Sequence, residues 1–115
     1  MTNILVIGSS GFIGSNLVRS LINKNDHVGI LIRKDTNDWR IRDIRKCCNV
    51  YSSDLTDYDK LCKVIFDSKP DVIINCATYG VYPTQKDSDK IVQTNIVGTK
   101  NLINAIEKYN KIKKI

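Results

Sequence analysis

Short apolar runs alternate with longer amphipathic stretches along this chain. Asn3 to Gly8 is an apolar run stopped by glycine, which predicts a buried strand. Apolar residues then recur at helical spacing, at Ile13, Leu17, Val18, Leu21 and Ile22, until the polar stretch Asn23 to Asp26. Val28 to Ile32 predicts a second strand. Residues 34 to 47 are polar and irregular, with one helical turn expected around Trp39 to Ile44. Val50 and Tyr51 predict a short third strand leading into Asp54. Asp57 is placed to cap a helix whose apolar side is Tyr58, Leu61, Val64 and Ile65, and Lys69-Pro70-Asp71 stops it. Val72 to Asn75 predicts a fourth strand, and a long helix follows from about Asp87 to Tyr109. Ile112 to Ile115 reads as the start of a fifth strand.

Strands that alternate with helices, and are apolar along their length, imply a parallel sheet covered on both faces. The expected class is therefore α/β, a doubly wound, Rossmann-type parallel sheet truncated at its fifth strand. The 115 residues suffice for one domain and leave no room for a second.

Composition narrows the function classes. At 42% hydrophobic and 26% charged the chain reads as globular, and neither a signal peptide nor a membrane span is expected. The default compartment is the cytoplasm. Cys47 and Cys48 are adjacent while Cys62 and Cys76 stand alone, so no C-x-x-C pair exists; with His27 the only histidine, neither a disulfide framework nor a metal site is expected. The net charge of +6 raises nucleic acid as a partner. Against it, aromatic residues are not interleaved with the basic run Arg33 to Lys46, and Lys108, Lys111, Lys113 and Lys114 suit the solvated end of the last helix.

The chemistry concentrates at the first strand–helix junction, Gly8-Ser9-Ser10-Gly11-Phe12-Ile13-Gly14. Gly8 permits a tight turn, Gly11 lets the backbone approach a diphosphate, and Gly14 packs the helix on the strand. The helix then aims its free N–H groups and positive end at the phosphates, with the Ser9 and Ser10 hydroxyls as further donors. The plainer alternative is an ordinary glycine-rich turn.

Ile7-Gly8-x-x-Gly11-Phe12-Ile13-Gly14 resembles the loop of the extended short-chain dehydrogenase/reductases, which include the NAD(P)-dependent sugar-nucleotide epimerases and dehydratases. Three further segments carry the resemblance. Asp54-Leu55 closes the third strand where that family holds the adenine; a turn cap is the alternative for Asp54. Asn75-Cys76-Ala77-Thr78 closes the fourth strand where the family's backbone lines the nicotinamide ribose; a small buried thiol is the plainer reading of Cys76. Thr94 to Ile103 resembles the family's mid-helix signature, in which the Asn, here Asn95, supports the active site. Asn95 shares a helical stripe with Ile91, Gly98, Leu102 and Tyr109, so a structural hydrogen bond is its alternative role.

The second strand ends at Arg33 and Lys34, where an acidic residue would bind the ribose 2′-OH of NAD. A guanidinium suits a 2′-phosphate, so NADP is favoured over NAD; Asp35, two residues on, is the rival for the hydroxyl, and a plain solvated surface position is the other reading of Arg33. In the resembled family the chemistry needs a Ser or Thr after the fifth strand and a later Tyr-x-x-x-Lys. Tyr82 to Lys86 and Tyr109 to Lys113 match that spacing, one in a Pro-containing loop and the other too early, and both are set aside. No catalytic residue is therefore assigned.

The resulting expectation is the N-terminal dinucleotide-binding portion of an epimerase, dehydratase or reductase of nucleotide sugars, inactive alone, with the sugar bound only by a full-length enzyme. The last helix, apolar on a second stripe through Val92, Ile96, Ile103 and Ile106, offers a surface for self-association. A non-catalytic NAD(P)-binding or sensing module is the alternative, and a basic nucleic-acid-binding protein a more distant one.

Overall fold

A computed structural model describes residues 2–24, 26–79 and 84–109 of the chain. The expected fifth strand at 112–115 lies outside them, as do Lys111, Lys113, Lys114 and Tyr82, and with them the two Tyr-x-x-x-Lys pairs.

Four strands, β1 (Asn3–Ile7), β2 (His27–Ile32), β3 (Asn49–Ser52) and β4 (Val72–Asn75), form one sheet in the order β3-β2-β1-β4. Every pairing is parallel, and β1 sits centrally, Ile7 beside Leu31 on one side and Asn75 on the other. The order reverses between β1 and β4, because the chain winds outward to β3 before returning past β1. In open α/β sheets, a crevice opens at that switch point, outside the carboxyl ends of the strands. The fold is thus the α/β, Rossmann-type sheet expected.

Helices cover both faces, so the sheet builds two cores. On one side α1 (Phe12–Asn23) packs Val18 against Ile4, Val6, Val28 and Ile30. On the other, α2 (Tyr58–Ser68) and the final helix bury Leu61, Ile65, Leu102 and Ala105 on Leu5, Leu31 and Ile73. Asp57 caps α2, its carboxylate accepting from the Lys60 N–H, and Lys69 ends the helix in a left-handed conformation at φ 47°.

The polar run after β2 holds hydrogen-bonded turns over residues 39–44, where one helical turn was expected: the Ile41 N–H donates to the Asp38 carbonyl and the Ile44 N–H to the Ile41 carbonyl, and a 3₁₀ turn follows at Arg45–Cys47. It is anchored by Ile41, fully buried in the α1-side core, and by Arg19 of α1, which grips both Asp43 oxygens at 2.8 Å and the Arg40 carbonyl at 2.5 Å. The last helix is interrupted: α3 (Ser88–Val92) runs into a π turn (Gln93–Val97) before α4 (Gly98–Tyr109). Of its second apolar stripe, Val92, Ile96 and Ile103 are exposed, while Ile106 packs against the core.

Candidate functional site

A cleft of about 360 Å³ opens at the carboxyl ends of all four strands. Its base is the glycine loop. Gly8 takes φ +77°, and a Cβ there would lie 2.5 Å from the Ala77 nitrogen, so the turn needs glycine both for its conformation and for its packing on the β4 exit. A Cβ on Gly14 would collide with the Gly8 carbonyl. Gly11 is different: its Cβ would meet only the Gly8 oxygen, at an ordinary 3.5 Å, and its backbone is extended. Nothing in the protein's own packing demands glycine there; a close-lying ligand backbone contact would.

Gly11 caps α1 with no side-chain hydrogen bond, and the first turn carries no acidic residue. The opening amides of α1, at Phe12, Ile13 and Gly14, therefore have no cap, and these three residues line the cleft together with Gly8, Ser10 and Gly11. The Gly11 N–H is used within the turn, donating to the Gly8 carbonyl at 3.2 Å. The two serines part company. Ser10 faces the cleft, whereas Ser9 is buried with its hydroxyl directed to the Leu31 carbonyl at 3.5 Å, so the second hydroxyl donor expected from Ser9 is not there.

Above β2 and β3, Arg33, Asp54 and Leu55 line the wall; Lys34 is exposed and stands outside it. β3 ends at Ser52, so Asp54 and Leu55 lie in the connection beyond the strand rather than closing it. Asp54 Oδ1 accepts from both the amide and the hydroxyl of Thr56 at 3.0 Å, making the carboxylate a turn cap as well as a wall residue. Leu55 reaches back into the core against α4, where a Cβ on Gly98 would come within 2.9 Å of it. Gly98 therefore serves close packing.

Cys76, Ala77 and Thr78 form the wall beyond β4. The Cys76 amide donates to the Ile7 carbonyl and the Ala77 amide to Asn75 Oδ1, holding the segment across the sheet end. Burial pushes the Cys76 thiol above its ordinary value, which makes it a poor nucleophile. Asn95 does not line the cleft. Its Oδ1 accepts from the Tyr79 amide at 2.9 Å and from the Thr78 hydroxyl, and its Nδ2 donates to the Tyr79 carbonyl at 2.6 Å. The π turn presents this amide to the loop, so Asn95 clamps residues 78–79 through the structural hydrogen bonds that were its alternative role. Tyr79 is also covered by the Lys90 ammonium, 4.8 Å from the ring centre.

Ile7, Leu31, Ile32, Ser53, Thr36, Tyr79, Gln85 and Thr94 complete the lining and were not foreseen. The first four are neighbours of expected positions at strand ends, and the rule that ligands bind at strand carboxyl ends could have found them. The other four come from loops and the π turn, whose course no local pattern reveals.

The fold is that of a Rossmann-type α/β protein, with its cleft at the carboxyl ends of the strands. Residues 4–115 match the NAD dependent epimerase/dehydratase family, and the chain belongs to that family. It is 34% identical to the dTDP-glucose 4,6-dehydratase of Haemophilus influenzae over 95% of its length, and 32% identical to the UDP-glucose 4-epimerase of Lacticaseibacillus casei over 97%. The crystal structure of the Bacillus anthracis dTDP-glucose 4,6-dehydratase in complex with NAD superposes with a TM-score of 0.78 at 28% identity, covering 99% of this chain and 36% of that one. The chain spans about a third of the length of the curated relatives it matches. Among the described residues, no helix is long and apolar enough to cross a membrane.

Proposed function

We propose that the cleft binds a nicotinamide dinucleotide, its diphosphate over the glycine loop and its adenosine between Arg33 and Asp54. One observation carries the reading: an uncapped helix N-terminus faces the cleft across a glycine, Gly11, that the protein's own packing does not require. On this reading Gly8, Ser10, Gly11, Phe12, Ile13 and Gly14 hold the diphosphate, Leu55 packs beside the adenine, and Cys76, Ala77 and Thr78 line the nicotinamide ribose with backbone. A bound nicotinamide supplies hydride transfer; the residues described here bind and orient it.

NADP is the preferred cofactor on this reading. Arg33 lines the cleft and Asp35 does not, so a guanidinium rather than a carboxylate meets the ribose 2′ position. The relatives' names place nucleotide sugars with UDP and dTDP carriers among family substrates, and such a sugar is the substrate we assign to the enzyme that these residues serve. The 115 residues are one cofactor-binding domain; by themselves they bind dinucleotide and turn over no UDP-glucose. Their compartment is the cytoplasm, where four unpaired thiols stay reduced.

Thermal denaturation with NADPH, NADH or neither tests the assignment: both cofactors raise the midpoint, NADPH more, and no shift with either overturns it. Val92, Ile96 and Ile103, about half exposed on α3, the π turn and α4, form the surface through which we propose that two copies associate. Sedimentation is expected to show a concentration-dependent dimer that Ile96→Lys abolishes; a monomer at all concentrations contradicts this.

A further inference from the structure

The polypeptide turns sharply on leaving β2. The Arg33 amide donates to Thr36 Oγ1 at 3.1 Å, and the Thr36 amide donates to the Arg33 carbonyl at 3.1 Å, so Thr36 closes the turn 33–36 from both sides. No residue of this turn takes a positive φ and none is glycine; its shape depends on those two hydrogen bonds. The turn sorts its side chains. Arg33, itself exposed, and the half-buried Thr36 line the cleft, while Lys34 and Asp35, also exposed, do not. Among the described residues, neither Arg33 nor Asp35 is committed to an ion pair.

Both flanks are fixed. Ile32 pairs with Ser52 in the sheet, and beyond the turn Asp38 binds Arg45 at 2.7 Å while Ile41 is buried. The adjustable piece is the short span between them, and Thr36 Oγ1 is the side-chain atom that ties it down.

We propose that Thr36 is a specificity-determining positioning residue: by closing this turn it holds Arg33, and not Asp35, against the ribose 2′ group of the dinucleotide. The inference rests on the reading of the cleft as a dinucleotide site. A carboxylate at that place accepts a hydrogen bond from a 2′-hydroxyl and repels a 2′-phosphate, whereas a guanidinium attracts the phosphate and donates to it. Loss of the Thr36 oxygen leaves the Arg33 amide without its partner and frees the turn to bring Asp35 inward.

The test is a fluorescence titration of the 115-residue chain with NADPH and with NADH. The unsubstituted chain and Thr36→Ser, which keeps the oxygen, should prefer NADPH to the same degree. Thr36→Val should lower the NADPH-to-NADH affinity ratio by roughly threefold to tenfold, the effect of one hydrogen bond. Asp35→Asn added to Thr36→Val should recover most of that ratio, because the competing carboxylate is gone; a purely structural role for Thr36 would weaken both cofactors equally. An unchanged ratio in Thr36→Val, a loss that Asp35→Asn does not relieve, or a native preference for NADH overturns the proposal while leaving the cleft a dinucleotide site. Binding of neither cofactor overturns the cleft reading, and this proposal with it.

Discussion

Alanine at Gly8 or Gly14 would drive a methyl group into backbone that has nowhere to go, whereas alanine at Gly11 meets only ordinary contact. Gly14→Ala should therefore cost about 3 kcal/mol in urea unfolding, the upper range for overpacking. Gly11→Ala should leave stability within about 0.5 kcal/mol of the original, since its extended backbone suits alanine. The same variant should lose NADPH affinity by about tenfold, or about 1.4 kcal/mol. If Gly11→Ala bound NADPH normally, the diphosphate would not lie on this loop. The turn at Gly8 and the close packing at Gly14 were legible from spacing alone, because strand, turn and helix succeed one another without a gap. The inward turn of Ser9 was not legible, since Ser9 and Ser10 look identical in sequence and only the partner carbonyl of Leu31 separates them.

At the scale of elements, the segment after β2 behaves as a flap fastened to the body at two points, Ile41 in the core and Arg19 on Asp43, and braced internally by Arg45 and Arg42 on Asp38. Ile41→Ala should destabilise the chain by about 2–4 kcal/mol in urea unfolding; a change near zero would mean the segment is not anchored there. Hydrogen bonding to Arg45 holds Asp38, and hydrogen bonding to Arg19 holds Asp43, below the ordinary carboxylate value of 3.8. Groups so lowered contribute stability above that value and lose it only as pH falls through their lower folded values. Trp39, the sole tryptophan, lies in this flap with Arg40 stacked on its ring. Its emission should stay constant from about pH 7 to pH 5 and change only below about pH 4; a transition centred above pH 5 would show that neither carboxylate holds the flap.

The strands and the two main helices were readable because apolar runs and helical spacing are local signals. The flap was read as irregular because its one buried residue, Ile41, sits alone among charges, and a single apolar position has no period. The π turn escaped for a related reason. Asn95 was correctly assigned to the inward side of its helix, but its partner, the backbone of Tyr79, is contributed by a loop from sixteen residues earlier. Only the tertiary structure brings them together.

For the whole molecule, the sheet order β3-β2-β1-β4 puts every strand's carboxyl end at one rim, so loops distant in sequence converge on one cleft. Membership of the NAD dependent epimerase/dehydratase family and the geometry of that rim point the same way. The most direct test follows the backbone amides of the isotope-labelled chain by NMR during an NADPH titration. Saturable shifts are expected at the Ser10, Phe12, Ile13 and Gly14 amides, with weaker changes along Arg33 to Thr36 and at Asp54. Saturable binding that leaves the amides at the start of α1 unmoved would contradict this expectation.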